Sequence, residues 1–140
     1  MTILLVEDNP GDVLLTQEAF SEGRFFPVMR VAEDGEEALK FLRREGRHAG
    51  APRPDLILLD LNLPKKDGRE LLAEVKSDPE LQQIPVIVLT TSGAEQDVRR
   101  AYRSHANCYL TKPLEMESFL QKIRAVENFW LNTVKLPTTN

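Results

Sequence analysis

Four short apolar runs, each closely followed by a polar group, constrain this chain more than any other feature of its sequence. The runs are residues 3–6, 56–59, 86–89 and 108–110, and the groups that follow them are Glu7 with Asp8, Asp60, Thr90 and Lys112. Continuous apolar runs of this length are typical of strands buried on both faces of a parallel sheet. Ligands bind at the edge where such strands end, so we expect the four groups to converge on one site.

Segments with helical periodicity separate the strand-like runs, which predicts five βα units and an α/β fold with a doubly wound, five-stranded parallel sheet. The predicted strands are 2–7, 27–32, 55–60, 85–90 and 107–110. The first helix is expected to begin near Asp12 as its cap, to turn Val13, Leu14 and Phe20 towards the sheet and to end at Gly23. The other helices are expected over 35–44, after 67–68, from Ala94 and from Glu115 past Val126, with a loop at 46–54.

The composition limits the chain to few classes of protein. Its 140 residues with 41% hydrophobic content fit one domain over 1–140, with a last helix to about 135 and a frayed tail at 136–140. A net charge of -4 argues against binding nucleic acid. One cysteine, Cys108, favours a reducing cytoplasm, and no apolar run is long enough for a signal-peptide core or a membrane span. We expect a soluble, unprocessed protein.

Three acids at one sheet edge predict a metal ion. Glu7, Asp8 and Asp60 would repel one another strongly unless a cation shared their site. Oxygen ligands without histidine or cysteine favour a hard ion, and Mg²⁺, which keeps several waters, suits a few carboxylates, with Mn²⁺ also accepted. For Glu7 and Asp8 alone, a polar turn that caps the next helix is the simpler interpretation.

The remaining groups are suited to phosphoryl chemistry. Asp60 ends the most apolar run, and an aspartate there can attack phosphorus to form an acyl phosphate. Lys112 can neutralise phosphoryl oxygens and Thr90 can donate a hydrogen bond to one of them. Taken singly, Thr90 is an ordinary strand-end hydroxyl and Lys112 a surface charge, so the prediction depends on their combination. Tyr109 can pack inward or outward, or be a half-buried strand tyrosine.

From residue 3 to about residue 126, the chain resembles the receiver domain of bacterial two-component response regulators. The separations of 52 residues from Asp8 to Asp60, 30 from Asp60 to Thr90 and 22 from Thr90 to Lys112 agree with that family, as does the turn at 63–68. The segments 6–12 and 89–92 and the closing residues 129–131 are similar to the phytochrome-associated response regulators of cyanobacteria. The family often has two aspartates where this chain has Glu7 and Asp8.

The resemblance implies a flavodoxin-like receiver fold with strand order 2-1-3-4-5 and a mechanism. Asp60 would accept a phosphoryl group from a histidine kinase, here a phytochrome-type sensor kinase, and Lys112 would contact that group. The metal ligands would be Glu7, Asp8, Asp60 and the carbonyl of Asn62. Thr90 would move towards the phosphoryl group and Tyr109 would follow it inward, which would alter the surface of the fourth helix, fifth strand and fifth helix.

The apolar residues near the C-terminus predict an interface. Phe129, Trp130 and Leu131 are consecutive, so on a helix they point about 100° apart and cannot all face one sheet. Either the chain folds back over them or a partner covers them. We expect a homodimer, because two-fold dimers are the commonest oligomers.

Two other functions compete with a phosphorylation switch that assists its own phosphorylation and dephosphorylation. A metal-dependent phosphatase or mutase with an aspartyl-phosphate intermediate needs a general acid two residues after the nucleophile, but that position is Asn62. A module that keeps the fold without phosphorylation is disfavoured by the intact set of Asp8, Asp60, Thr90 and Lys112. The cognate kinase, the phosphoryl lifetime, the downstream target and the effect of phosphorylation on a dimer do not follow from the sequence.

Overall fold

The computed structural model describes residues 1–112 and 115–137, in which strands and helices alternate along the chain. The strands are β1 (Thr2–Val6), β2 (Val28–Ala32), β3 (Leu56–Leu59), β4 (Val86–Thr90) and β5 (Cys108–Thr111). The α-helices are α1 (Pro10–Ser21), α2 (Gly35–Arg43), α3 (Gly68–Ser77), α4 (Glu95–Arg103) and α5 (Met116–Val126). The predicted 46–54 loop contains a short 3-10 helix, Gly46–His48.

The five strands form one parallel sheet in the order β2-β1-β3-β4-β5, which confirms the predicted doubly wound fold. All four strand pairings are parallel. Alternate strand residues face two separate hydrophobic clusters, one against α2, α3 and α4 and the other against α1 and α5. Because both faces of the sheet are covered, its central strands contain almost no polar residue until they reach their carboxyl ends.

The first helix differs from the prediction in two respects. It begins at Pro10, because the side chain of Asn9 caps it by accepting the amide of Asp12 at 3.1 Å, so the prediction of Asp12 as the cap was wrong. Leu14 does not face the sheet and is 57% exposed. The buried stripe contains Thr16 and Phe20, and a residue two positions before Thr16 lies about 200° around the helix from it.

The chain continues beyond α5 in a π-helical segment, Glu127–Thr133, so helical structure ends close to the predicted end near residue 135. Of the tail predicted to be frayed, residues 138–140 lie outside the described part of the chain. None of the helices in the described ranges has the length and apolar character needed to cross a membrane.

Gly68, the first residue of α3, packs directly against the backbone that follows β3. A Cβ atom on Gly68 would lie 2.3 Å from the carbonyl oxygen of Asp60 and 2.6 Å from Cα of Leu61. The amide of Gly68 also donates to the carbonyl of Leu61 at 2.9 Å. A side chain at this position would therefore push α3 away from the backbone that carries Asp60.

We expect Gly68→Ala to lower the free energy of unfolding by about 1–3 kcal/mol, the usual effect of overpacking against atoms that cannot move aside. The matched control is Gly50→Ala, because a Cβ atom on Gly50 meets nothing within 4 Å, and this change should alter stability by less than about 0.5 kcal/mol. Urea unfolding of the two variants measures the difference. Equal midpoints would show that the backbone around Asp60 yields to the added methyl group.

Candidate functional site

The four polar groups lie side by side at the carboxyl edge of the sheet. Main-chain hydrogen bonds extend the strand pairing past the strand ends: the amide of Glu7 donates to Ala32, that of Asp60 to Val6 and that of Lys112 to Thr90. These hydrogen bonds keep the carboxyl ends of neighbouring strands level with one another at the edge of the sheet. The predicted convergence therefore follows from the sheet itself.

The carboxylates of Glu7, Asp8 and Asp60 form a compact cluster. One oxygen from each lies within 4.8 Å of the others. Glu7 and Asp60 are buried, Asp60 with 8% of its surface exposed, whereas Asp8 is exposed. A set of oxygen donors of this kind, open to solvent on one side, fits a hard divalent cation. Asn62, the fourth predicted ligand, is exposed, and its main-chain amide donates to Asp60 Oδ1 at 3.2 Å.

Lys112 inserts its ammonium group among these acids. Its Nζ lies 3.1 Å from Asp60 Oδ2 and 2.9 Å from Asp12 Oδ2, and it also donates to Glu7. The carboxyl groups of Glu7, Asp8, Asp12 and Asp60 share this one ammonium, so negative charge is in excess at the site. This excess of negative charge gives the site an affinity for a cation.

The pKa values of the three buried groups reflect their environment. Burial raises the pKa of Glu7 to about 7, in spite of its hydrogen bond with Lys112. Burial acts in the same direction on Asp60, but the Thr90 hydroxyl and the Lys112 charge outweigh it and lower the pKa of Asp60. Burial opposes the charge of Lys112 as well, yet the hydrogen bonds to Glu7 and Asp12 raise the pKa of Lys112. Asp60 is therefore an ionised carboxylate beside a positive charge.

Thr90 and Tyr109 occupy different positions relative to Asp60. The fully buried Thr90 donates its hydroxyl to Asp60 Oδ1 at 2.7 Å. Tyr109 is half-buried against the cluster that contains α3 and α4, and its hydroxyl donates to the carbonyl of Ser92 at 2.8 Å. Thr90 thus touches the carboxylate itself, while Tyr109 touches the segment between β4 and α4.

The predicted interface residues lie apart from this cluster. Trp130 and Leu131 pack partly buried against the core cluster of α1 and α5, whereas Phe129 is 50% exposed. The chain therefore covers part of this apolar set itself.

Sequence reasoning missed three residues that contact the site or its surroundings. Asp12 was interpreted only as a helix cap, although its place in the first turn of a helix that begins right after β1 brings it to the same sheet edge. Arg69 and Asp97 bind each other from α3 and α4, 28 positions apart, and no local pattern relates two such distant positions.

Comparison with known proteins agrees with this geometry. Residues 3–124 match the family described as the response regulator receiver domain. The chain belongs to this family. As a receiver domain, it is similar to the response regulator Rcp1 of Synechocystis sp., with 50% identity over 135 residues that cover 96% of this chain and 92% of Rcp1.

Solved structures of receiver proteins superpose closely on the chain. The crystal structure of the Mn²⁺-bound form of Rcp1 has a TM-score of 0.94 and 49% identity, covering 98% of this chain and 99% of the other. The phosphorylated cyanobacterial phytochrome response regulator RcpA has a TM-score of 0.94 and 52% identity, with 98% of each chain covered. The chain is thus a receiver-domain response regulator related to phytochrome response regulators.

Proposed function

We propose that Asp60 accepts a phosphoryl group from a histidine kinase and that the chain is a single-domain response regulator. The observation that carries the proposal is the environment of Asp60: an ionised carboxylate with Lys112 Nζ at 3.1 Å on one oxygen and the Thr90 hydroxyl at 2.7 Å on the other. An oxygen of Asp60 attacks phosphorus, the bond from phosphorus to the donor nitrogen breaks, and the donor imidazole keeps the electron pair.

The neighbouring residues would bind the metal ion and neutralise the charge of the phosphoryl group. Glu7, Asp8, Asp60 and the Asn62 carbonyl would hold Mg²⁺, or Mn²⁺ in its place, which supplies positive charge for the phosphoryl oxygens. Lys112 would exchange carboxylate contacts for a phosphoryl oxygen, and Thr90 would donate its hydroxyl to another. Dephosphorylation would reverse the modification when water attacks phosphorus and Asp60 leaves. The chain therefore acts as a switch that assists its own modification.

The signal would leave through Thr90 and Tyr109. A phosphoryl group on Asp60 would give the Thr90 hydroxyl a new hydrogen-bond acceptor. The position of Tyr109 would change with that of the segment after β4, because its hydroxyl is hydrogen-bonded to Ser92. The altered surface would consist of α4, β5 and α5.

A phytochrome-type sensor kinase is the partner that we propose. The similarity to RcpA, a phytochrome response regulator, supports this choice. A cytoplasmic location, proposed from the single cysteine, fits a kinase partner of this type.

The test of the proposal is the intact mass of the chain after incubation with Mg²⁺ and a small acyl-phosphate donor. We expect one phosphoryl group per chain, and none when a chelator removes the metal. If a folded chain that binds metal acquires no phosphoryl group, the phosphoacceptor proposal is wrong and an interaction module is left.

We also propose that the chain forms a homodimer through its C-terminal segment, because Phe129 remains half exposed beside the partly covered Trp130. Sedimentation at micromolar concentration should show a dimer that Phe129→Ala weakens. The matched control is Tyr102→Ala, which removes another aromatic side chain that is 50% exposed, from α4 on the other face of the sheet. A natural chain that sediments as a monomer would contradict the proposal.

A further inference from the structure

An ion pair between α3 and α4 lies beside the candidate site without being part of it. Arg69 binds Asp97 with two hydrogen bonds, from Nε to Oδ1 at 2.9 Å and from Nη2 to Oδ2 at 2.8 Å. The two side chains are only 19% and 22% exposed. A two-bond arginine–carboxylate pair shielded from water holds its geometry better than a flexible surface pair.

The pair holds the segment between β4 and α4. The hydroxyl of Ser92 donates to Asp97 Oδ2 at 2.6 Å, and the carbonyl of Ser92 accepts the Tyr109 hydroxyl at 2.8 Å. Ser92 is thus bound on one side by α4 and on the other by β5. The segment that follows Thr90 has little freedom to move while Asp97 stays in place.

The same pair reaches back towards Asp60. Nη1 of Arg69 lies 3.4 Å from the carbonyl of Leu61, the residue after Asp60, and 3.1 Å from Oδ1 of Asp67. The hydrogen bonds from Arg69 and Ser92 lower the pKa of Asp97 to about 2, so Asp97 is ionised at neutral pH. The ion pair therefore links the main chain of Leu61, after the phosphoacceptor, to the side chain of Ser92, two residues after Thr90.

The contacts of Thr90 and Tyr109 show what this connection achieves. The family resemblance implies that, in the phosphorylated form, Thr90 reaches the site and Tyr109 packs inward. Both contacts exist in this structure: the Thr90 hydroxyl lies on Asp60 and the Tyr109 hydroxyl on the Ser92 carbonyl. The bonds from Ser92 to Asp97 and from Arg69 to Asp97 are contacts within the chain that favour this arrangement.

We propose that Arg69 and Asp97 are positioning residues that hold the segment after β4 in its phosphoryl-receiving arrangement. This inference rests on the proposed function of Asp60. If only a fraction of the molecules has the receiving arrangement, the apparent affinity for the donor falls by that fraction. Breaking the pair should therefore slow phosphorylation without touching any residue of the site.

The test compares Asp97→Asn with Glu95→Gln. Both changes remove one charge from α4, but Glu95 binds Arg99 in an exposed pair whose side chains are 78% and 64% exposed. In Asp97→Asn without a phosphoryl donor, we expect lower backbone NMR order parameters at residues 92–94 and altered NMR signals of the Tyr109 ring. With Mg²⁺ and an acyl-phosphate donor, phosphoryl uptake should slow by roughly fivefold or more. Glu95→Gln should change neither quantity.

A double variant distinguishes the effect of losing the Arg69–Asp97 pair from the effect of a general loss of stability. If Arg69 and Asp97 act only through each other, Arg69→Gln combined with Asp97→Asn should slow uptake no more than Asp97→Asn does alone. The backbone order parameters of β1 serve as the internal reference and should stay unchanged.

The outcomes distinguish this inference from the proposed function. If the natural chain acquires a phosphoryl group and Asp97→Asn acquires it at the same rate, the inference is overturned and the function stands. Unchanged order parameters at residues 92–94 also overturn the inference. If the natural chain acquires no phosphoryl group, the proposed function fails, and this inference fails with it.

Discussion

The Asp60→Asn variant is expected to acquire no phosphoryl group under conditions in which the natural chain acquires one. An amide oxygen is a poor nucleophile towards phosphorus, and none of the other carboxylates in the cluster has the same partners. Asp60 alone accepts the Thr90 hydroxyl, and it shares Lys112 with Glu7 and Asp12. Intact mass spectrometry of the two proteins after the same incubation measures the difference.

The same variant should fold normally and bind metal less well. The side-chain oxygen of asparagine still accepts the Thr90 hydroxyl, and Lys112 keeps Glu7 and Asp12 as partners. Loss of one anionic ligand should weaken Mg²⁺ binding by at least about tenfold, since even the outer-shell partners of metal ligands are worth that much.

The matched control is Asp67→Asn, which makes the same change of charge on the same β3–α3 connection, where Asp67 binds Arg69 rather than the cluster. It should still acquire one phosphoryl group. If Asp60→Asn acquires as much phosphoryl group as the natural chain, another residue is the phosphoacceptor.

The Lys112→Met variant is expected to lose stability in the absence of metal, by about 3 kcal/mol at about pH 8. The side chains of Lys112 and Glu7 are 7% and 3% exposed, so removal of the ammonium leaves carboxylates buried without their cation. Asp60 loses the contact at 3.1 Å in the same change. Phosphoryl uptake should also fall severely, because Lys112 is the one side-chain cation paired with the cluster in the described part of the chain, and the metal ion would be left to neutralise the phosphoryl oxygens without it.

The size of this loss should depend on pH. The pKa of Glu7 is already raised to about 7 in the folded chain, and without Lys112 it should rise further. A folded pKa above the unfolded value of 4.5 means that stability is lost as pH rises through that interval. The loss should therefore be small at about pH 4, where Glu7 is protonated in both states, and largest above the folded pKa.

Urea unfolding at several pH values, with and without Mg²⁺, measures these effects. Mg²⁺ should stabilise Lys112→Met more than the natural chain, because it no longer competes with the ammonium for the carboxylates. The control is Lys66→Met, which breaks the more exposed pair with Glu74 and should cost less than about 1 kcal/mol. Equal losses in the two variants would mean that Lys112 does not neutralise the cluster.

The strands and the meeting of the site residues could be predicted because both follow from local pattern and one geometric rule. Apolar runs such as residues 56–59 and 86–89 fit only strands that are buried on both faces, and parallel strands bring their carboxyl ends to the same edge. Asp60, Thr90 and Lys112 could then be placed together before any contact was known.

The wrong predictions concern α1. Two nearby residues could each cap this helix, and the rotation of the helix about its own axis decides which side chains are buried. Asn9 and Asp12 can both cap a helix, and Pro10, which suits the first helical position, favours Asn9. Leu14 has the same side chain as Leu15, which packs partly buried against the core, and only the packing of α1 on the sheet turns Leu14 to solvent.

The sequence by itself determined the order of strands and helices, the parallel sheet and the residues at its carboxyl edge, because these depend on periodicity and on chain direction. Only the tertiary structure decided that Asp12 shares Lys112 with the cluster, that Arg69 binds Asp97, and that the Thr90 hydroxyl donates to Asp60. Such contacts join side chains from elements far apart in the sequence. Their geometry depends on how the helices pack against the sheet, which no local pattern encodes.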